Sequence, residues 1–355
     1  MKIIKIFFIN ILIFLATLAT IEIFFGYWFT KDHLGGYMRE HRMKKVPYSL
    51  TYSGKVYNYN YLRNYHGFRG KEIEPSKIQA IFIGGSTADE RWKPDEFSIV
   101  GFLNNKLEND SIKIKIVNAG IEGQSTLGHL ANFEKWFPKL EDFKPKFFIF
   151  YVGINDHLRA KLDSKNLNDG HVKRPGKLEF FYDTLKSNSI FYDSLRKIKH
   201  RYYTKDKAVI YDFDYSVKNY TKQKRWGNKN KYKFLSFEGA LNYYNLDDLL
   251  LKNKRLTDYY LNNIDRLAEH AKKYNSTPIF INQIMSDGAF NESLFALNYT
   301  LIQHCKIKGY ECIDLVKELI GQQDYWYDGV HTTPKGSKKI SEIIYPKLKK
   351  IVEIN

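Results

Sequence analysis

The sequence predicts an α/β fold, a three-layer sandwich in which a mostly parallel, five-stranded sheet lies between layers of helices. Short apolar runs alternate along the chain with longer segments of helical spacing, and this alternation favours a parallel sheet covered on both faces. Glycine and polar residues follow several of the apolar runs, at the strand ends where such sheets bind ligands. The composition, 43% hydrophobic and 27% charged over 355 residues, is that of a globular protein and excludes disorder.

The first element is an apolar N-terminal helix. The stretch from residue 6 to residue 29 reaches about 36 Å as a helix, enough to cross a bilayer core. Tyr27 and Trp28 fall where interfacial aromatic residues are common. The segment predicts a single-pass membrane anchor over residues 1–30, and a cleaved secretory signal is the alternative.

The orientation of this anchor is set by two opposing signals. More Lys and Arg residues follow the apolar stretch than precede it, which by itself places the body of the chain in the cytoplasm. A short basic region at the extreme N-terminus is instead typical of an export signal. We expect export, with the main domain outside the cytoplasm, periplasmic or at the cell surface.

The remaining elements follow in order. Residues 31–77 are polar and Tyr-rich without clear periodicity, which predicts a juxtamembrane linker and lead-in to a domain over residues 78–355. Apolar runs predict strands at 78–84, 112–117, 147–152, 278–282 and 310–314. Helical spacing predicts helices at 97–107, 127–140, 256–274 and 334–351.

The pattern breaks between about residues 158 and 250, where basic clusters are mixed with Tyr and Phe. This stretch is too long for a connecting loop and predicts a helical or irregular insertion. Basic and aromatic residues together can stack on bases or sugars, although a charged helical surface over a small aromatic core is the more ordinary interpretation. The net charge of +17 permits nucleic acid, anionic lipid or acidic glycan as a partner, but export makes nucleic acid an unexpected one.

Polar residues with chemical potential lie at the predicted strand ends. Ser86 follows two glycines after the first strand, Gly123 lies after the second, and Asn155 follows the third. Asp328 lies three residues before His331, just ahead of the last helix, a spacing that lets a carboxylate fix the imidazole tautomer while the other ring nitrogen faces a serine. The Gly-x-Ser-x-Gly elbow of α/β-hydrolases and the Gly-Lys-Ser/Thr ending of a P-loop are absent.

In this order the motifs resemble the SGNH (GDSL-type) hydrolase family, whose four blocks are named for Ser, Gly, Asn and His. The resemblance covers roughly residues 78–157 and 277–350 and implies the flavodoxin-like SGNH fold. The tract Asn64–Gly70 is also similar to the lead-in of membrane-anchored bacterial members. Gly85 stands where the family often has Asp, a departure that leaves the catalytic groups intact and mainly affects the assignment to a subfamily.

The resemblance implies a role for each matching residue. Ser86 would be the nucleophile and His331 its base, with Asp328 completing a Ser-His-Asp triad. The backbone amides of Ser86 and Gly123 and the side chain of Asn155 would form the oxyanion hole. No cofactor or metal is needed for this chemistry, and the histidines show no zinc-ligand spacing.

The function we expect is a membrane-anchored serine esterase that cleaves short acyl esters, most plausibly O-acetyl groups, of cell-envelope carbohydrate. One alternative is an acyltransferase that uses the same triad on glycan hydroxyls. Another is a catalytically silent glycan-binding protein, although no nucleophile, base or oxyanion donor is missing from the sequence.

The two cysteines are too few for a disulfide scaffold or a four-thiolate zinc site. Cys305 and Cys312 lie on either side of the turn into the predicted fifth strand. They form either a local disulfide, in an oxidising compartment, or two buried thiols.

Overall fold

The computed structural model describes residues 2–29, 34–162, 184–185, 188–195, 198, 209–214, 216, 237–286, 291–319 and 323–354. The chain divides into two compact units, Met1–Glu40 with Arg174–Lys207, and His41–Lys173 with Ala208–Asn355. Most of the insertion predicted at 158–250 lies outside the described residues.

The smaller unit contains helix α1 (Lys2–Phe25) and the short helix α2 (Gly35–Arg39). Residues Ile3–Phe25 have a mean hydropathy of 2.3 and are long and apolar enough to cross a membrane. Glu22, near the end of α1, accepts hydrogen bonds from the Trp28 indole and from the backbone N–H of Ile190, both at 3.1 Å. Part of the predicted insertion therefore belongs to the same unit as the apolar helix.

The larger unit contains the remaining elements. Its strands are β1 (Lys44–Tyr52), β2 (Lys55–Arg63), β3 (Ala80–Gly84), β4 (Ile116–Asn118), β5 (Phe147–Tyr151), β6 (Val209–Asp212), β7 (Thr277–Ile281) and β8 (Glu311–Ile313). Its helices are α3 (Ser86–Asp89), α4 (Ile99–Asn109), α5 (Thr126–Lys135), α6 (Ile154–Leu162), α7 (Phe237–Tyr243), α8 (Leu246–Lys273), α9 (Glu292–Lys308), α10 (Leu315–Glu318) and α11 (Pro334–Ile354).

The central sheet has five parallel strands in the order β4-β3-β5-β7-β8, and this confirms the predicted fold class. Numbered along the chain, this order is 2-1-3-4-5, the flavodoxin-like arrangement. Every residue of β3 and β5 is buried, as expected for strands covered on both faces. The predicted second strand, 112–117, is paired only from Ile116 onward, where it forms the short edge strand β4.

Helices cover both faces of this sheet. On one face α4 and α11 pack over side chains such as Phe82 and Ile149. On the other face Phe133 of α5 packs against Phe148 and Phe150, which alternate with the residues of the first face along β5. The period-2 alternation within each buried strand therefore supplies both halves of the core.

A second sheet, in the order β2-β1-β6, lies in a region where no strand was predicted. Strands β1 and β2 form an antiparallel hairpin in which Tyr48 lies opposite Tyr59 and the turn passes through Ser53 and Gly54. Strand β6, from the predicted insertion, pairs in parallel with β1. The lead-in at 31–77 thus includes a folded hairpin that belongs to the larger unit.

Two further features concern the chain from Leu246 onward. Helix α8 begins at Leu246, earlier than the predicted Leu256, because the Asn245 side chain caps it by accepting a hydrogen bond from the backbone N–H of Asp248. Between α9 and β8, Cys305 and Cys312 form a disulfide with Cα atoms 6.2 Å apart. Of the two alternatives left open by the sequence, the structure has the bridge.

Candidate active site

Ser86 lies at the carboxyl end of β3, as the first residue of helix α3. The N–H groups of a first helical turn have no partner within the helix, so the Ser86 amide points out of the helix end. Gly85 lets the chain pass very close to its neighbours. A Cβ atom there would overlap the side-chain amide of Asn155 and come within 3.0 Å of the carbonyl oxygen of Gln124.

The structure joins Ser86, His331 and Asp328 in a continuous chain of hydrogen bonds. The Nε2 atom of His331 lies 2.8 Å from the Ser86 Oγ atom, and its Nδ1 atom lies 2.7 Å from Asp328 Oδ2. The other oxygen of Asp328 accepts from the backbone N–H groups of Val330 at 2.7 Å and of His331 at 2.6 Å. The carboxylate therefore orients both the imidazole and the loop that carries it.

These bonds also determine the charge of Asp328. Burial by itself would raise the pKa of its carboxyl group. The hydrogen bonds from the ring and backbone of His331 outweigh burial and hold that pKa below the ordinary value of 3.8. Asp328 is therefore ionised at neutral pH, the state that supports an imidazolium.

Asn155 lies next to Gly85, in the first turn of α6. Its side-chain nitrogen donates to the Gln124 carbonyl oxygen at 2.7 Å, which ties it to the loop after β4. Gly123 precedes that carbonyl and has a left-handed φ of +77°, a conformation that favours glycine. The structure thus brings Asn155 against Gly85 and places Gly123 in the loop that Asn155 holds.

Gln283, which the sequence analysis missed, connects two of these loops. Its Oε1 atom accepts from the backbone N–H of Ile154, and its Nε2 atom donates to Thr87 Oγ1, both at 2.8 Å. Gln283 is buried just beyond β7, at the same carboxyl edge. Its position after a predicted strand was the only signal for it in the sequence.

Two buried arginines support the turn that follows Ser86. Arg63 donates from Nη1 to Asp89 Oδ1 at 3.1 Å and to the Gly120 carbonyl at 2.8 Å. Arg69 donates to the Lys93 carbonyl at 2.6 Å and to Asp95 Oδ1 at 2.7 Å. Arg63 lies at the end of β2 and Arg69 lies in the tract Asn64–Gly70, so the hairpin and lead-in help to build the site.

Aromatic rings surround His331. The ring of Tyr327 stacks on the imidazole at 5.9 Å between centroids, and Phe213 stacks on Tyr327 at 4.3 Å. Burial raises the pKa of the Tyr327 phenol well above its usual range, so this group is neutral. Because Phe213 follows β6, the predicted insertion contributes to the packing around the histidine.

The arrangement contains the parts needed for acyl transfer through a serine nucleophile: a hydroxyl, a hydrogen-bonded base and an ionised carboxylate. Asn155 and the helix-end amide add hydrogen-bond donors beside the hydroxyl. Within the described part of the chain, no group of three or more His, Cys, Asp and Glu side chains is arranged to hold a metal ion.

No protein-family model matches the chain, and no curated protein matches it. Among solved structures, that of TesA is 13% identical, covers 77% of this chain and 99% of its own, and has a TM-score of 0.44. An acetyl xylan esterase from Geobacillus stearothermophilus is 14% identical, covers 77% and 96%, and has a TM-score of 0.42. A GDSL-like lipase from Bacteroides thetaiotaomicron is 12% identical, covers 80% and 92%, and has a TM-score of 0.38.

All three TM-scores lie below 0.5, so the functional argument rests on the residues of this chain.

Proposed function

We propose that this chain is a membrane-anchored serine esterase of the SGNH type that removes short acyl groups, chiefly acetyl, from cell-envelope carbohydrate. The observation that carries the proposal is the hydrogen-bonded chain from Ser86 through His331 to Asp328 at the carboxyl edge of the sheet. Residues separated by about two-thirds of the sequence meet there in the geometry that activates a serine.

The mechanism follows from these contacts. His331 accepts the Ser86 proton through Nε2 as Oγ attacks the ester carbonyl carbon, and Asp328 stabilises the imidazolium that forms. The tetrahedral intermediate collapses to an acyl-enzyme when His331 returns the proton to the departing alcohol. Water then attacks the acyl-enzyme, with His331 again acting as the base, and releases the acid and free Ser86.

The developing oxyanion needs hydrogen-bond donors that are already in place. We assign this role to the backbone amides of Ser86 and Gly123 and to the side-chain amide of Asn155. Each donor is worth about 3 kcal/mol of barrier in such sites, or roughly 10²–10³-fold in rate. Asn155 has a second N–H besides the one that it donates to Gln124, so it can serve both the loop and the oxyanion.

Two features support the location of the enzyme. Helix α1 has the length and hydropathy of a membrane span, and its side chains are exposed within the described structure. The Cys305–Cys312 disulfide is the form expected in an oxidising compartment outside the cytoplasm. An enzyme held at that surface has the acylated polymers of the envelope within reach, which is why we propose carbohydrate esters as its substrates.

Hydrolysis of an acetylated sugar by the purified chain tests the proposal. We expect Ser86→Ala to abolish acetate release while the circular dichroism spectrum stays unchanged. Ser341→Ala is the matched control, because the hydroxyl of this buried serine on α11 donates to the nearby Lys338 carbonyl and to no other group among the described residues. Retention of full activity by Ser86→Ala would contradict the assignment.

The fate of the acyl group tests whether the chain is a hydrolase. Incubation with an acetyl donor and a glycan acceptor, followed by mass spectrometry, should give free acetate and an unmodified acceptor. Transfer of acetyl to the acceptor in preference to water would instead make the chain an acyltransferase with the same triad.

A further inference from the structure

Two buried charged side chains contact the segments that carry Ser86 and His331 but take no part in the proposed chemistry. Lys93 and Glu90 are 1% and 2% exposed, and their Nζ and Oε1 atoms are 2.5 Å apart. Lysine is almost never fully buried unless it is paired, so a pair in this position needs a structural reason. Its contacts indicate that reason.

One set of contacts reaches the segment that carries His331. Lys93 Nζ donates to the carbonyl oxygen of Thr332 at 2.7 Å and to its hydroxyl at 3.0 Å. Glu90 accepts hydrogen bonds from the hydroxyls of Thr332 at 3.1 Å and of Ser337 at 2.6 Å. Thr332 directly follows His331, and Ser337 lies in the first turns of α11.

The other set of contacts reaches the nucleophile. Glu90 directly follows α3, and its backbone N–H donates to the Ser86 carbonyl at 2.9 Å. Its φ of +46° is unusual for a residue with a side chain and persists only where the surrounding structure holds it. The second carboxylate oxygen of Glu90 accepts from the backbone N–H of Ile99 at 2.6 Å, which fixes the side chain against α4.

We infer that Lys93 and Glu90 are positioning residues that hold the segment carrying His331 at the correct distance from the turn that begins with Ser86. The inference rests on the proposed function and adds a specific role to residues outside the triad. Ser86 and His331 are 245 positions apart in the sequence. Their 2.8 Å contact therefore depends on the side chains that connect the segments around them. An error of about 1 Å in such a contact can reduce the rate by roughly 10²-fold.

The double variant Glu90→Leu/Lys93→Met tests the inference. Apolar side chains of similar volume often replace a buried ion pair without loss of stability, but they cannot hold Thr332 and Ser337. We expect a folded chain with a lower melting temperature, because Thr332, Ser337 and the Ile99 N–H lose these hydrogen bonds, together with a kcat for ester hydrolysis about 10- to 100-fold lower and a KM within about threefold. Lys347→Met is the matched control, because Lys347 pairs with Glu318 at the surface of α11, and we expect its kcat to equal that of wild type.

A folded double variant with the kcat of wild type would overturn the inference. If the double variant does not fold, Thr332→Val and Ser337→Ala replace it, because each removes only a hydroxyl from the same cluster. We then expect each to lower kcat by about 3- to 10-fold with little change in KM. Wild-type kcat in both of these variants would equally overturn the inference.

The proposed function and the positioning role can fail separately. A wild-type chain that neither hydrolyses esters nor reacts with a fluorophosphonate probe removes the proposed function. The NMR signals of the His331 ring report its contacts with Ser86 and Asp328 without any turnover. They should shift in the double variant and not in Lys347→Met, and unchanged signals would overturn the positioning role.

Discussion

Gly85 is the residue at which this chain departs from the SGNH pattern that its sequence resembles, and its surroundings explain the departure. The Asn155 side chain occupies the space that a Cβ atom at position 85 would need. An aspartate in this position would require a different arrangement of Asn155. The glycine is therefore matched to the present position of Asn155 and not merely tolerated.

Replacing Gly85 should consequently damage catalysis through Asn155. We expect Gly85→Ala to displace the Asn155 amide and to lower kcat by about 10²–10³-fold, with a smaller change in KM. Gly54→Ala is the control, since a Cβ atom added at Gly54, in the β1–β2 turn, would meet no atom within 4 Å; the φ of +71° at Gly54 makes an alanine there strained, so we expect a lower stability but the kcat of wild type. Steady-state kinetics decide the question, and a Gly85→Ala chain with the kcat of wild type would show that Asn155 is not an oxyanion donor.

Asp328 gives a prediction about pH. Because its pKa lies below 3.8, the carboxylate stays ionised at all higher pH values, and the support that it gives to folding and to His331 is lost only as the pH falls through that lowered pKa. We therefore expect Asp328 not to cause any slowing of fluorophosphonate labelling between pH 7 and pH 5. A slowing seen in wild type over this range should also be seen in Asp328→Asn, whose labelling rate should be about 10⁴-fold lower at every pH. If labelling slows toward pH 5 in wild type but not in Asp328→Asn, the slowing belongs to Asp328, which would contradict its lowered pKa.

At the scale of elements, the β1–β2 hairpin is part of the site and not only a connection to it. Arg63, the last residue of β2, forms an ion pair with Asp89 in which both side chains are 3% exposed. Asp89 ends the helix that begins with Ser86. Stability of the hairpin and placement of the nucleophile are therefore linked through this pair.

Breaking that pair should be costly. Arg63→Met removes the closer of two guanidinium groups from the buried Asp89 carboxylate, and breaking a buried pair in this way typically costs about 3–5 kcal/mol. Arg91→Met is the control, because Arg91 lies 3.7 Å from the same carboxylate and is more exposed, so its removal should cost clearly less. Urea unfolding of both variants measures the difference, and equal losses would show that the buried pair has no special weight.

The elements differ in how well their sequences predicted them. Strands β3, β5 and β7 are uniform apolar runs because both of their faces are covered, and such runs are easy to recognise. The hairpin carries a real signal, since Tyr57, Tyr59 and Tyr61 alternate with asparagines, but the chain is rich in both residue types throughout. The general composition therefore obscured a period-2 pattern.

The same contrast holds for the site. Ser86, Asn155 and His331 follow recognisable motifs, so the sequence could predict them as a group. Gln283 and Lys93 act through contacts with residues far away in the sequence, and no local pattern marks such contacts. Residues of this kind are found only when the fold brings their partners together.

At the scale of the whole molecule, the proposed export of the main domain gives the clearest prediction. An alkaline phosphatase reporter fused after residue 60 should be active, because this enzyme requires an oxidising compartment for its disulfides. A fusion that lacks residues 1–30 should be inactive and is the control. An inactive reporter on the full N-terminal segment would place the chain in the cytoplasm, as the count of positive charges after α1 suggests.

The central claim is that the hydroxyl of Ser86 is an activated nucleophile. The most direct measurement is to treat the intact protein with a fluorophosphonate probe and to locate the adduct by mass spectrometry of its peptides. We expect a single adduct on Ser86, lost in Ser86→Ala and strongly slowed in His331→Ala. A folded wild-type protein that forms no adduct, or that forms it on another residue, would refute Ser86 as the nucleophile.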